Sequence, residues 1–130
     1  MVMLARPVRP LSILVVDESR DGANTLAQVL QSAGHRARVA YDGDAAVAAA
    51  AASPPDVVLL DVGLSPSAGC ELVGRLAGVG RQRPLLVALT GYARPADRDA
   101  CRRGGFDHLV LEPYDPDQLL ALLDRHVPAA

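Results

Sequence analysis

The chain has 130 residues, half of them hydrophobic and only 3% aromatic, with a formal net charge of -2. That length makes one domain, long enough to bury a self-sufficient core built from Val, Leu, Ala and Ile. The near-neutral balance gives no drive toward nucleic acid or an anionic membrane surface.

Residues 1–10, with Pro7 and Pro10, read as a flexible leader. Residues 11–127 read as the folded domain and 128–130 as a tail. Ile13-Leu14-Val15-Val16 is a short β-branched run that stops at Asp17-Glu18, the mark of a strand buried on both faces. A helix follows to about Ala33, capped by Asp21 or Asn24, with Ala23, Leu26, Ala27 and Leu30 at helical spacing and Gly34 as its stop. Arg36–Tyr41 alternates weakly and reads as an edge strand. Asp42-Gly43 turns into an Ala-rich helix over 44–52, closed by Ser53-Pro54-Pro55. Val57–Leu60 is the third strand, stopping at Asp61. A loop with Gly63, Pro66 and Gly69 leads to a helix from about Cys70 to Ala77. Leu85–Leu89 stops at Thr90. Pro95 suits the first turn of a helix carrying Arg98, Arg102 and Arg103, and Gly104-Gly105 closes it. Leu109–Leu111 stops at Glu112, and Asp115 caps a last helix whose core face is Leu119, Leu120, Leu122 and Leu123.

This order, five repeats of strand and helix, predicts an α/β fold with one doubly wound parallel sheet and right-handed crossovers. The expected strand order is flavodoxin-like, 2-1-3-4-5. No GxGxxG or Walker motif is present to indicate another doubly wound fold. Ligands of open parallel sheets sit at the carboxyl ends of the strands, so Asp17, Glu18, Asp61, Thr90 and Glu112 are expected to converge. A carboxylate cluster of that kind must bind a cation or shift its pKa values. Cys70 and Cys101 form no Cys-x-x-Cys or Cys/His cluster and read as plain thiols in a reducing compartment. The apolar stretch Leu11–Val16 is too short for a signal-peptide core or a membrane span, so a cytoplasmic location is expected. His35, His108 and His126 read as surface or core-edge residues.

Four segments, ILVVDE (13–18), PDVVLLDVGL (55–64), LVALTGY (86–92) and GFDHLVLEPYD (105–115), occur in order and end at the strand termini. Over roughly residues 11–126 the chain resembles the receiver domain of two-component response regulators. The resemblance implies that Asp61 accepts a phosphoryl group from a histidine kinase or phosphotransfer protein. It implies Mg²⁺ held by Asp17, Glu18, Asp61 and the backbone carbonyl of Gly63, and makes Thr90 the switch hydroxyl. It also implies a cis Glu112-Pro113 peptide bond and a homodimer face made by the fourth helix, fifth strand and fifth helix. The physical logic agrees, because a cation bridging the attacking carboxylate and the phosphoryl oxygens offsets the negative charge they gather.

The chain departs from the family pattern at four places. Glu112 stands where the family has Lys; a unit pair at about 5 Å and an effective dielectric of about 20 is worth roughly 3 kcal/mol, so the reversed sign opposes a phosphoryl dianion. Glu112 can turn outward, hold a proton or bind the metal, and Arg20 or Arg94 can supply the absent positive charge. Glu18 replaces a frequent Asp. In the loop 63–69 the Pro comes one residue late, and Ser67-Ala68-Gly69 replaces Met-Asp-Gly. Leu109 replaces the switch aromatic of many members. The alternative reading is a phosphorylation-independent pseudo-receiver that binds a partner. An aspartyl-phosphate hydrolase of the haloacid-dehalogenase type would need Asp-x-Asp after the first strand, where Asp17-Glu18-Ser19 stands, and a Lys, which the chain lacks.

Overall fold

The computed structural model describes residues 10–63, 66–91 and 95–126. Five strands, β1 (Ser12–Val16), β2 (Arg36–Ala40), β3 (Val57–Gly63), β4 (Leu85–Thr90) and β5 (His108–Leu111), alternate with five helices. These are α1 (Arg20–Ser32), α2 (Gly43–Ala52), α3 (Pro66–Ala77), α4 (Pro95–Arg103) and α5 (Pro116–Asp124). All strand pairs are parallel and the order is β2-β1-β3-β4-β5, as the alternation of apolar runs predicts.

Successive side chains on a strand point to opposite faces, and each face is covered. Leu14, Val16, Val58, Leu60, Leu86 and Ala88 pack with Ala46 and Ala50 of α2, Val73 and Leu76 of α3 and Cys101 of α4. Ile13, Val15, Val57, Leu59, Val87 and Leu89 pack with Leu26 and Leu30 of α1 and Leu119 and Leu123 of α5. Both faces being apolar is why the strands read as continuous hydrophobic runs and not as alternating ones. β2 is an edge strand, as expected. Its open side is blunted by Arg36, by Gln31 Nε2 donating to the Ala37 carbonyl, and by the Arg38 guanidinium donating to the carbonyls of Ala49 and Ser53 at the end of α2.

Two helix starts differ from the sequence reading. The N-cap of α1 is Ser19, whose Oγ accepts from the Gly22 N–H, not Asp21 or Asn24. Asp21 lies in the first turn, where a carboxylate also suits the helix dipole, so composition alone does not separate the two positions. α3 starts at Pro66, four residues before the expected Cys70, because Pro is favourable in a first turn and Gly69 is tolerated inside the helix. A Cβ on Gly69 would lie 2.8 Å from Val62 Cγ1 and 3.2 Å from Phe106 Cζ. Gly69 therefore lets α3 sit close on the sheet. Gly34, at φ 98°, ends α1, and Asp115 caps α5 as read, accepting from the Asp117 N–H. The leader through residue 9, Arg94 and the tail lie outside the described residues. Among the described residues no helix is long and apolar enough to cross a membrane.

Candidate functional site

The parallel sheet brings the ends of β1, β3, β4 and β5 to one edge. Asp17 follows β1, its N–H bonded to the Ala40 carbonyl at 3.1 Å. One carboxylate oxygen accepts the Ser19 N–H at 2.9 Å, so the residue that caps α1 also orients Asp17. Asp61 lies on β3 at a register irregularity: Asp61 pairs with Leu89 and Gly63 with Thr90. Thr90 is fully buried at the end of β4, and its carbonyl accepts the Glu112 N–H at 2.7 Å. That bond carries the chain from β5 back over the end of β4. The Glu112-Pro113 bond is cis, as the resemblance implies.

The electrostatics show which side chains meet. The Glu112 carboxyl is held above its ordinary range by burial, by the charges of Asp61 and Asp17, and by a side-chain hydrogen bond with Asp61. Asp17 is also pushed up, by burial and then by the Asp61 charge, with the Ser19 N–H pulling the other way. The Tyr114 hydroxyl is raised by burial and by Glu112, Asp61 and Asp17. Asp17, Asp61 and Glu112 thus form one coupled acidic group with Tyr114 beside it. Glu18 is exposed at the rim.

A cavity of about 620 Å³ lies beside Asp17 and Asp61, between α2 and α3; Glu112 is not part of its lining. Asp17, Glu18 and Asp61 line it, with Tyr41, Glu71 and Arg75 farther along. The Arg20 guanidinium lies 4.2 Å over the Tyr41 ring, whose hydroxyl donates to Asn24 Oδ1 at 2.7 Å. Glu112 does not turn outward. Arg75 and Tyr41 were not singled out in the sequence. Arg75 meets Asp44, thirty-one positions away, and no local spacing signals that pairing. His35 is buried at the core edge, whereas His108 is exposed.

A parallel sheet of order 2-1-3-4-5 with carboxylates at its carboxyl edge is the arrangement found in two-component receiver domains, which are phosphoacceptor signalling modules and not enzymes. Residues 13–124 match the response regulator receiver domain family, and the chain belongs to it. It is 32% identical to an uncharacterized 14.6 kDa protein from Leptolyngbya boryana, over 89% of each chain. It is 34% identical to the response regulator MprA of Mycolicibacterium vanbaalenii, covering 92% of this chain and 53% of that protein. It is 31% identical to the virulence sensor protein BvgS of Bordetella pertussis, covering 97% of this chain but 11% of that protein. The chain therefore spans from nearly all to a small part of the proteins it resembles. Among solved structures, the chemotaxis protein CheY4 of Vibrio cholerae superposes with a TM-score of 0.76 at 25% identity, over 92% of this chain and all of that one.

Proposed function

We propose that this domain accepts a phosphoryl group on Asp61 from the phosphohistidine of a histidine kinase or phosphotransfer protein in the cytoplasm. The observation that carries this reading is the convergence of Asp17 and Asp61 at the sheet edge where Thr90 ends β4. In the transfer, a carboxylate oxygen of Asp61 forms the new bond to phosphorus as the P–N bond to the donor imidazole breaks. The imidazole keeps that electron pair.

The donor set suits magnesium, being all hard oxygen. Asp17, Glu18, Asp61 and the carbonyl of Gly63 would hold it, and when bound it supplies positive charge to the phosphoryl oxygens. Among the described residues no group of three or more His, Cys, Asp or Glu side chains is arranged to hold a metal ion, so most of the ligands would be waters and backbone oxygen, as magnesium ordinarily allows. The remaining roles belong to the chain. Asp17 is held in place by the Ser19 N–H. Thr90, on turning toward the phosphoryl group, gives one charge-assisted hydrogen bond. The resulting shift is read on the face of α4, β5 and α5, which would also be the surface of a homodimer.

A second reading is favoured by one contact. The hydrogen bond between Glu112 and Asp61 places a carboxyl beside the acceptor, which suits a pseudo-receiver that binds its partner without phosphorylation. Intact mass after incubation with Mg²⁺ and acetyl phosphate separates the two. A single labile adduct on the wild type, absent from Asp61→Asn, is expected. No adduct on the wild type but one on Glu112→Lys would establish the pseudo-receiver.

A further inference from the structure

We infer that Arg75 of α3 is the basic group that serves an anion at Asp61, in the role left open by Glu112. This deepens the phosphoacceptor reading and rests on it. Among the described residues, Arg75 is the one basic side chain lining the cavity that Asp17, Glu18 and Asp61 also line. The Arg20 guanidinium is stacked over the Tyr41 ring, and the chain has no Lys.

Arg75 is held lightly. Its guanidinium meets Asp44 Oδ1 at 3.1 Å across the α2–α3 groove, with the two side chains 47% and 91% exposed. Pairs this exposed contribute little, because water screens both charges and the long side chain loses rotamer freedom. A phosphoryl group adds close to two negative charges and three acceptor oxygens, and a guanidinium offers a planar fork of donors that fits such a group. Moving from Asp44 toward the phosphoryl group therefore exchanges a weak surface pair for a stronger charge-assisted one. Asp44 is the resting partner that keeps the guanidinium extended along the groove.

The test is a double-mutant cycle between Arg75 and Glu112, read as the rate of phosphoryl uptake from acetyl phosphate by intact mass. Arg75→Ala is expected to slow uptake by about tenfold or more, as loss of a donor to developing charge does. Arg75→Lys should restore part of it. Asp44→Ala, which releases the guanidinium, should leave uptake at or above the wild-type rate. In a Glu112→Lys background a cation already faces Asp61, so Arg75→Ala should cost much less; that non-additivity is the signature of two groups sharing one role. Equal uptake by wild type and Arg75→Ala overturns the assignment and leaves the phosphoacceptor reading standing. An adduct on Glu112→Lys but none on the wild type also overturns it, since Arg75 then does not compensate. No adduct on any variant defeats both.

Discussion

The carboxyl of Glu112 hydrogen-bonds that of Asp61, two strands away in the sheet. Such a bond needs a proton between the two carboxyls, and burial, then the charges of Asp61 and Asp17, raise the pKa of Glu112. Incoming phosphoryl or metal charge meets a group that can change its protonation with its surroundings.

This crowding sets a stability prediction. Glu112 and Asp17 both have folded-state pKa values above their ordinary ones. For an acid so shifted, the folded state holds protons that the unfolded chain has released. The contribution is present below the unfolded pKa and is lost as pH rises through the folded value. Glu112→Gln keeps a donor toward Asp61 and removes the charge. It should raise the midpoint of thermal unfolding at neutral pH by a few degrees, given that about 1 kcal/mol moves a chain of this size by roughly 3–5 °C. The gain should shrink on acidification below the carboxylate range. Melting curves across pH check this; a variant no more stable than wild type at pH 7 would show that the crowding costs nothing.

A second pH effect has the opposite sign and lies at the other end of the sheet. His35 is 5% exposed, and its Nδ1 accepts the Leu11 N–H at 3.1 Å. The Leu11 carbonyl in turn accepts the Arg36 N–H, so His35 fastens the entry of β1 to that of β2. Burial holds its pKa below the ordinary value, with the charge of Asp124 opposing. Protonation would also remove the acceptor that Leu11 uses. The unfolded chain binds the proton more readily, so stability should fall as pH drops below about 6.5. His35→Ala leaves the Leu11 N–H without its partner and should cost about 1–3 kcal/mol at pH 7, with a flatter slope between pH 5 and 7. Urea titrations of both proteins at those pH values measure the difference.

The cap of α1 tests a point where sequence and structure part. Ser19 Oγ accepts the Gly22 N–H at 3.2 Å, so Ser19→Ala should destabilise by about 1 kcal/mol. Asp21→Ala removes only a favourable interaction with the helix dipole and should cost about half of that or less. A larger loss at Asp21 than at Ser19 in the same denaturation assay would contradict the cap assignment.

The fold was legible because both faces of the sheet are covered, which turns every strand but β2 into an apolar run with a polar residue at its end. Asp17, Asp61, Thr90 and Glu112 could be placed at one edge from that pattern alone. Helix starts were less legible, since Ser19, Asp21 and Asn24 are all chemically suited to cap, and Pro66 looks like a loop residue until Gly69 is seen against Val62 and Phe106. Arg75 could not be found by spacing, because its partner Asp44 comes from another helix.

The last prediction concerns the contact between α3 and α4. A Cβ placed on Gly104 would collide with Cys70 Sγ and lie 3.1 Å from both Cys70 Cβ and the Ala100 carbonyl. Sγ can swing away by rotation about one bond, but the backbone oxygen and Cβ cannot, so α4 must shift. Overpacking of this kind costs about 1–3 kcal/mol, and Gly104→Ala should fall within that range. Part of the loss is offset because Ala is the better helix former, by up to about 1 kcal/mol where the position is helical. Cys70→Ala removes Sγ but not Cβ. The double variant should therefore recover some of the loss without reaching wild type, and the two substitutions should be non-additive, as expected for residues in contact. Additive losses in equilibrium unfolding would mean that Gly104 and Cys70 do not meet in solution and that α4 sits farther from α3 than the fold places it.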